Sequence, residues 1–214
     1  MKKKTAGYWV LNAVSILSAF IFIAPILWVL AVSFQHQGKQ ISSVIDWFTP
    51  PYTLENYPNI ILNSGVPTWV FNSILVAVIV TVLTVIVSSM AAYAMAKLKF
   101  KGRNALYLYF LIGILVPGEA TIVPLFITAN GLNLIDTYAG LILPTVAGSM
   151  NLIIMITFFQ SLPNELLEAA KIDGAGEVRI FFQIALPLAK TILATVSIFA
   201  FVGSWNNYLW PLLC

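Results

Sequence analysis

SLPNELLEAAKIDGAGEVRIFFQIALP, residues 161–187, is a polar island between two apolar runs. Four of the chain's eight acidic residues lie in it, Glu165, Glu168, Asp173 and Glu177, together with Lys171 and Arg179. Pro163 suits the first turn of a helix, where its missing N–H would have no partner. Leu166, Leu167 and Ala170 recur at helical spacing and give one apolar face. Asp173-Gly174 breaks that helix, because glycine tolerates positive φ. A second short amphipathic segment follows, with Ile180, Phe181 and Ile184 on one side, and Pro187 marks the change into the next apolar run. The pattern is helix, sharp turn, helix, lying outside the bilayer but pinned to it at both ends. A long solvated loop would share this composition. Two amphipathic halves around a glycine turn instead call for a partner, either lipid headgroups or a groove on another protein.

The rest of the chain supplies the bilayer. Of 214 residues, 60% are hydrophobic and 9% charged, whereas soluble domains carry about 25% charge. Mean hydropathy is +0.92. The single cysteine, Cys214, excludes a disulfide framework within the chain, and the single histidine, His36, excludes the usual His-rich metal sites. No nucleophile motif and no cofactor signature is present, which sets a membrane-embedded enzyme aside.

Lys2, Lys3 and Lys4 precede an apolar run from Tyr8 to Phe34. A signal peptide with cleavage near Ala31-Val32-Ser33 competes with a retained span. Signal cores run to ~7–15 residues, so the longer run reads as a span, with Pro25 bending it. Residues 35–65 form a polar loop whose Trp47, Phe48, Tyr52 and Tyr57 fit a membrane surface. It serves as a tether or as a docking segment. A second span covers 66–96. Asn72 and Ser73 near its start either line a path or bond a neighbouring helix, and the small Ser88, Ser89, Ala91, Ala92 and Ala94 permit close packing.

Lys97, Lys99, Lys101 and Arg103 follow. Beside a span this basic cluster is a topological anchor attracted to anionic headgroups rather than a nucleic-acid patch, and no nucleic-acid partner is expected. A third span, 104–128, is interrupted by Pro117-Gly118-Glu119 and Pro124. Counted along one helix, Glu119 lies well past the midplane from the cytoplasmic side. An acid at that depth either lines a cavity or is a hydrogen-bonded structural group. The fourth span, 138–159, holds Pro144, Gly148 and Asn151, and the fifth, 188–213, ends in Ser204-Trp205-Asn206-Asn207-Tyr208.

With the N-terminus inside, Lys and Arg at 2, 3, 4, 97, 99, 101, 103, 171, 179 and 190 are all cytoplasmic, and only Lys39 is outside. A bias of ten to one satisfies the positive-inside rule, and the opposite orientation reverses it. The 161–187 island then faces the cytoplasm. The fold class is therefore all-α, a polytopic membrane helix bundle with about five spans in a lipid bilayer.

The island also carries Glu168-Ala169-Ala170, three residues, Gly174, nine residues, Ile184, one residue, then Leu186-Pro187. This spacing resembles the EAA motif of ABC importer permeases at each named position. Ile172-Asp173-Gly174-Ala175 and Trp205-Asn206 resemble the carbohydrate-uptake branch, the maltose-type permeases of six spans. The resemblance covers roughly residues 66–211. It implies residues 1–65 as a first span and extracytoplasmic loop. It implies 66–214 as a type I ABC transmembrane domain, incomplete because the chain stops at Cys214 after its fifth span. That end reads as a fragment or truncated product, or as a shorter working variant.

The resemblance further implies a second permease subunit in a heterodimer, two copies of an ABC ATPase, and an extracytoplasmic solute-binding protein. ATP hydrolysis is then on a separate subunit, so this chain is not an enzyme. In a prokaryotic cell membrane, the island would be the coupling element on the ATPase. Glu168 would pair with a basic group, Ala169 and Ala170 would permit close approach, and Asp173-Gly174 would make the turn, with Ile184, Leu186 and Pro187 completing the motif. Candidate translocation-path residues are Glu119, Asn72, Asn151, Trp205 and Asn206. Rings and amides suit a sugar path but also an interfacial belt, so the sugar assignment rests on the resemblance. A secondary transporter would show internal repeats and several buried ionisable groups. That reading, and a non-transporting membrane fragment, are the rivals.

Overall fold

The computed structural model describes residues 6–36, 38–40 and 42–214. Lys2, Lys3 and Lys4, on which part of the orientation argument rests, lie outside the described residues. The chain is all-α. Among the described residues the only β pairing is one isolated antiparallel bridge, Gln35 with Tyr52. The chain divides into two compact units, Met1–Trp69 and Val70–Cys214.

The first unit starts with α1 (Ala6–Ser33), which continues through Pro25 as one helix. Its apolar side chains are exposed on every side, Phe22 to 80%. In water this would be an aggregation surface; in hydrocarbon it is the solvated state, because all helix-interior backbone groups are paired within the segment. The loop after it is folded rather than slack. Buried Gln35 donates from Nε2 to Trp47 O at 3.2 Å, and Lys39 Nζ donates to Gln35 Oε1 at 2.7 Å and Thr49 O at 2.6 Å. Asn56 donates to Ser33 O and Gln35 O at 2.9 and 2.8 Å. These bonds close a short 3-10 turn (Ile45–Phe48) and α2 (Asn56–Asn63) into one folded segment.

α3 (Val66–Lys97) is the longest helix. After a glycine turn at Gly102 (φ +84°) come α4 (Arg103–Leu115) and α5 (Gly118–Gly131). Their axes meet at 107°, a broken span or re-entrant pair. The chain turns at Val116-Pro117, where Pro117 is extended (ψ 133°). Pro124, in contrast, sits inside α5 without ending it. Because α5 does not continue the axis of α4, the depth of Glu119 cannot be counted along a single rod. α6 (Tyr138–Val146) and α7 (Ser149–Ser161) meet at a gentler 41°. Here the break falls at Ala147-Gly148, while Pro144 lies inside α6.

The island forms α8 (Asn164–Ile172), α9 (Glu177–Ile180), a π-helical turn (Phe181–Ala185) and α10 (Leu186–Leu188). α11 (Lys190–Trp205) and α12 (Leu209–Leu213) close the chain. Among the described residues, three helices are by length and composition able to cross a membrane, Gly7–Ser33, Val66–Lys97 and Lys190–Leu213, or up to five if each bent pair is one span.

The main core of the second unit lies at the island end. It joins Ala92, Tyr93 and Ala96 of α3 to Met155, Ile156 and Phe159 of α7, and these to Ile180 and Phe181. Ala92, Met155, Ile156, Phe159 and Ile180 are fully buried. Ser88, Ser89 and Ala92 are buried too, so small residues bring α3 close to its neighbours. A second, smaller cluster packs Val80 of α3 on Ile142 and Val146 of α6.

Candidate functional site

α8 begins at Pro163, extended at φ −58° and ψ 130°. Glu165 in its first turn and Lys171 in its last both complement the helix dipole. The helix stops because Gly174 adopts φ +79°. Gly174 N–H donates to Lys171 O at 3.0 Å and Ala175 N–H donates back to Ala170 O at 2.9 Å. This pair of bonds is a Schellman cap, and it satisfies carbonyls that the helix end would otherwise orphan. Gly174 has open space where a Cβ would stand, so only its backbone angle demands glycine.

The motif residues divide by direction. Ala170 is buried, and Ile184 and Leu186 pack partly buried against the core. Glu168, Ala169, Asp173, Gly174 and Pro187 are exposed. The Glu168 carboxylate has no hydrogen-bond or ionic partner among the described residues. Leu167 faces the core, but Leu166 is 48% exposed and Ile172 87% exposed. The apolar face read from the sequence is thus narrower on the core side, and Leu166, Ile172, Val178 and Phe182 are each exposed.

The end of α3 holds the island at both halves. Lys97 Nζ donates to Leu162 O at 2.6 Å and Asn164 Oδ1 at 2.8 Å. Tyr93 donates its hydroxyl to Glu177 Oε2 at 3.2 Å, while Glu177 Oε1 pairs with Lys171 Nζ at 2.5 Å. The Tyr93 ring packs edge-on to Phe159 at 5.8 Å and against Phe181 at 5.2 Å. From sequence Lys97 reads as a headgroup anchor, and the one signal for Tyr93 is an aromatic four residues before a basic helix end.

A second place gathers polar groups. A cavity of about 300 Å³ is lined by Gly118, Glu119, Thr121, Thr145, Asn207 and Trp210 with neighbouring apolar groups. The turn at Pro117 brings Glu119 here, in the first turn of α5, and the break at Asn206–Tyr208 brings Asn207. Of the path candidates only Glu119 lines this cavity. Asn72 instead accepts from the Tyr138 hydroxyl at 3.0 Å, a bond between α3 and α6. Asn151 lies in the first turn of α7, Trp205 stacks on Phe201 at 6.1 Å, and exposed Asn206 ends α11. Thr121, Thr145 and Trp210 were not singled out from the sequence, because lone threonines in apolar helices usually bond their own backbone.

Residues 85–214 match the family described as "Binding-protein-dependent transport system inner membrane component". The chain is 39% identical over 204 residues to the diacetylchitobiose uptake system permease protein NgcG of Streptomyces coelicolor, covering 94% of this chain and 67% of that protein. It is 37% identical over 218 residues to the arabinooligosaccharides transport system permease protein AraQ of Halalkalibacterium halodurans, covering 100% of this chain and 78% of that one. In structure it resembles a chain of a bacterial ABC transporter involved in the import of the acidic polysaccharide alginate, with a TM-score of 0.77 and 23% identity over 98% of this chain and 75% of that one. That likeness is one of fold. These relatives are permease proteins, not enzymes. The chain belongs to the binding-protein-dependent transport system inner membrane components, and it is a permease subunit.

Proposed function

We propose that this chain is the permease subunit of an ATP-driven ABC importer for a sugar, coupled to its ATPase through residues 161–187. Family membership carries the permease assignment, and the names of the two relatives given above support a saccharide. The coupling role is supported by the island's geometry. Its inward face is locked to the core, while Glu168, Ala169, Leu166 and Ile172 are exposed, and Glu168 has no partner among the described residues.

A rigid element of this kind transmits force. A partner that grips α8 pulls on Lys97 through Asn164 and on Tyr93 through Glu177. Both belong to α3, so the displacement passes into a helix of membrane-spanning length. Transport then follows if the ATPase contacts the two states of the permease differently. In this reading Glu168 meets a basic group on the ATPase, and Ala169 lets the surfaces approach. A second permease subunit forms the heterodimer, two ATPase copies dock in the cytoplasm, and a binding protein delivers solute from the other side. The N-terminus is cytoplasmic, residues 1–65 form the first span with its outer segment, and 66–214 form the transport domain. The solute path includes the Glu119 cavity.

The test is co-purification of the full membrane protein from its native host, with bound chains identified by mass. An ATPase, a sister permease and a binding protein should come with it. Recovery of none of them would overturn the coupling role and favour a secondary transporter.

A further inference from the structure

The side chains lining the Glu119 cavity offer hydrogen-bond acceptors almost exclusively. Thr121 Oγ1 donates to Gly118 O at 2.8 Å and Thr145 Oγ1 donates to Ile142 O at 2.8 Å. Each hydroxyl proton is thus spent on the helix backbone, and the oxygen lone pairs are left to the cavity. The Trp210 indole N–H is spent on Gly140 O at 3.0 Å. Asn207 Oδ1 takes the Trp210 backbone N–H at 3.4 Å, leaving its amide NH₂ as the one uncommitted side-chain donor among the lining residues. The Glu119 carboxylate has no partner among the described residues, and it accepts only.

The charge is as one-sided as the hydrogen bonding. Glu119 is the sole ionisable residue in the lining. No Lys, Arg or His occurs anywhere from Asn104 to Ala170, nor from Thr191 to Cys214. All the helices that build the cavity therefore lack a compensating cation. A phosphate or uronate entering it would meet an unneutralised like charge at short range, which repels it. A neutral polyol meets the opposite: each of its hydroxyls is a donor, and the polar side chains of the lining are mostly acceptors. The volume, about 300 Å³, lies at the lower end of ligand-sized cavities, roughly 300–1,000 Å³.

We infer that this cavity is a charge-selective solute subsite that accepts neutral, polyhydroxylated solutes and rejects anionic ones, with Glu119 as the residue that decides. The inference rests on reading the cavity as part of the solute path, and it narrows that reading from sugars in general to uncharged sugars.

Charge selectivity is measurable without knowing the solute. Thr145→Cys and, separately, Thr121→Cys are placed in a Cys214→Ser background within the assembled transporter. Each is labelled with a cationic trimethylammonium-ethyl methanethiosulfonate and with its anionic sulfonatoethyl counterpart. A lone carboxylate in a cleft concentrates counter-ions by tenfold or more. Relative to each reagent's rate with a free thiol in solution, the cationic reagent should therefore react at least about tenfold faster at either position, and Glu119→Gln should abolish that excess. Labelling should slow in the presence of N,N′-diacetylchitobiose or arabinotriose, and not with sn-glycerol 3-phosphate. Equal rates for the two reagents once referenced to the free thiol, or an excess that survives Glu119→Gln, would overturn charge selection. If saccharide still protects in that case, the path reading stands alone. No labelling of either position by either reagent, in a chain that labels once denatured, would overturn both.

Discussion

Tyr93 of α3 and Glu177 of α9 lie 84 residues apart in sequence and are joined by a 3.2 Å hydrogen bond, with the phenol donating. Glu177 in turn pairs with Lys171 at the end of α8. One carboxylate thereby ties the two halves of the island to each other and to a helix of membrane-spanning length. The Lys171–Glu177 pair alone is worth little, because both side chains are nearly half exposed. The phenol matters more for geometry, since its ring is buried against Phe159 and Phe181.

Tyr93→Phe keeps that ring packing and deletes only the hydroxyl. The cost to stability is about 1 kcal/mol, the net worth of one hydrogen bond to a partly solvated charge. Coupling should suffer more than stability. ATP hydrolysis by the assembled transporter should persist while solute moved per ATP falls several-fold in proteoliposomes. An unchanged transport-to-hydrolysis ratio would remove Tyr93 from the force path.

Gly140 is fixed by crowding rather than by backbone angle. A Cβ there would meet Cys214 Sγ at 2.8 Å and press into the Leu134 carbonyl oxygen. Backbone cannot swing aside as a flexible side chain can. Gly140 O also accepts the Trp210 indole N–H at 3.0 Å, so displacing Gly140 unseats α12. Gly140→Ala should destabilise by about 1–3 kcal/mol, the usual cost of overpacking. Thermal melting in detergent measures this. Gly174→Ala is the contrast: its Cβ meets nothing, and the cost is the left-handed backbone alone, about 1–2 kcal/mol.

Asp46 sets a pH dependence for the folded segment after α1. Its carboxylate accepts the backbone N–H groups of Ser42 at 3.0 Å and Ser43 at 2.8 Å. These bonds, that from Ser42 foremost, hold its carboxyl below the ordinary value of 3.8. A group whose folded value is lowered stabilises above its unfolded value and loses that contribution as pH falls through the folded one. The segment should therefore be insensitive to pH near neutrality and loosen only in acid. Selective ¹³C labelling of aspartate should show one carboxyl, absent from Asp46→Asn, titrating below 3.8.

Much of the fold is legible in the sequence because the bilayer makes hydropathy decisive. Apolar runs become helices where the backbone must pair internally, and Gly174 stops α8 because little else tolerates φ +79°. What eluded sequence reading was direction. Pro117 and Pro124 look alike as helix breakers, yet only Pro117 turns the chain, by 107° between flanking helices. Proline at 124 is absorbed inside α5, and Pro144 inside α6, while the break between α6 and α7 falls at Gly148. The same blindness affects side chains. Asn206 and Asn207 are equivalent in composition, but only Asn207 lines the Glu119 cavity. Leu166 and Leu167 both sit at apolar positions, and packing against α3 and α7 selects Leu167 alone. Periodicity gives the existence of a face; the neighbours that choose it are distant in sequence.

The most direct experiment concerns the turn at Gly174. Proline there cannot adopt φ +79° and removes the N–H that bonds Lys171 O. Gly174→Pro, Gly174→Ala and the unaltered chain are each purified with the partner subunits, and the amount of bound ATPase and the rate of ATP-dependent uptake are measured. Gly174→Pro should insert normally into the membrane yet lose ATPase and uptake by at least about tenfold, the equivalent of 1.4 kcal/mol. Gly174→Ala should retain most of both. Full ATPase recovery and normal uptake in Gly174→Pro would contradict the assignment of residues 161–187 as the coupling element.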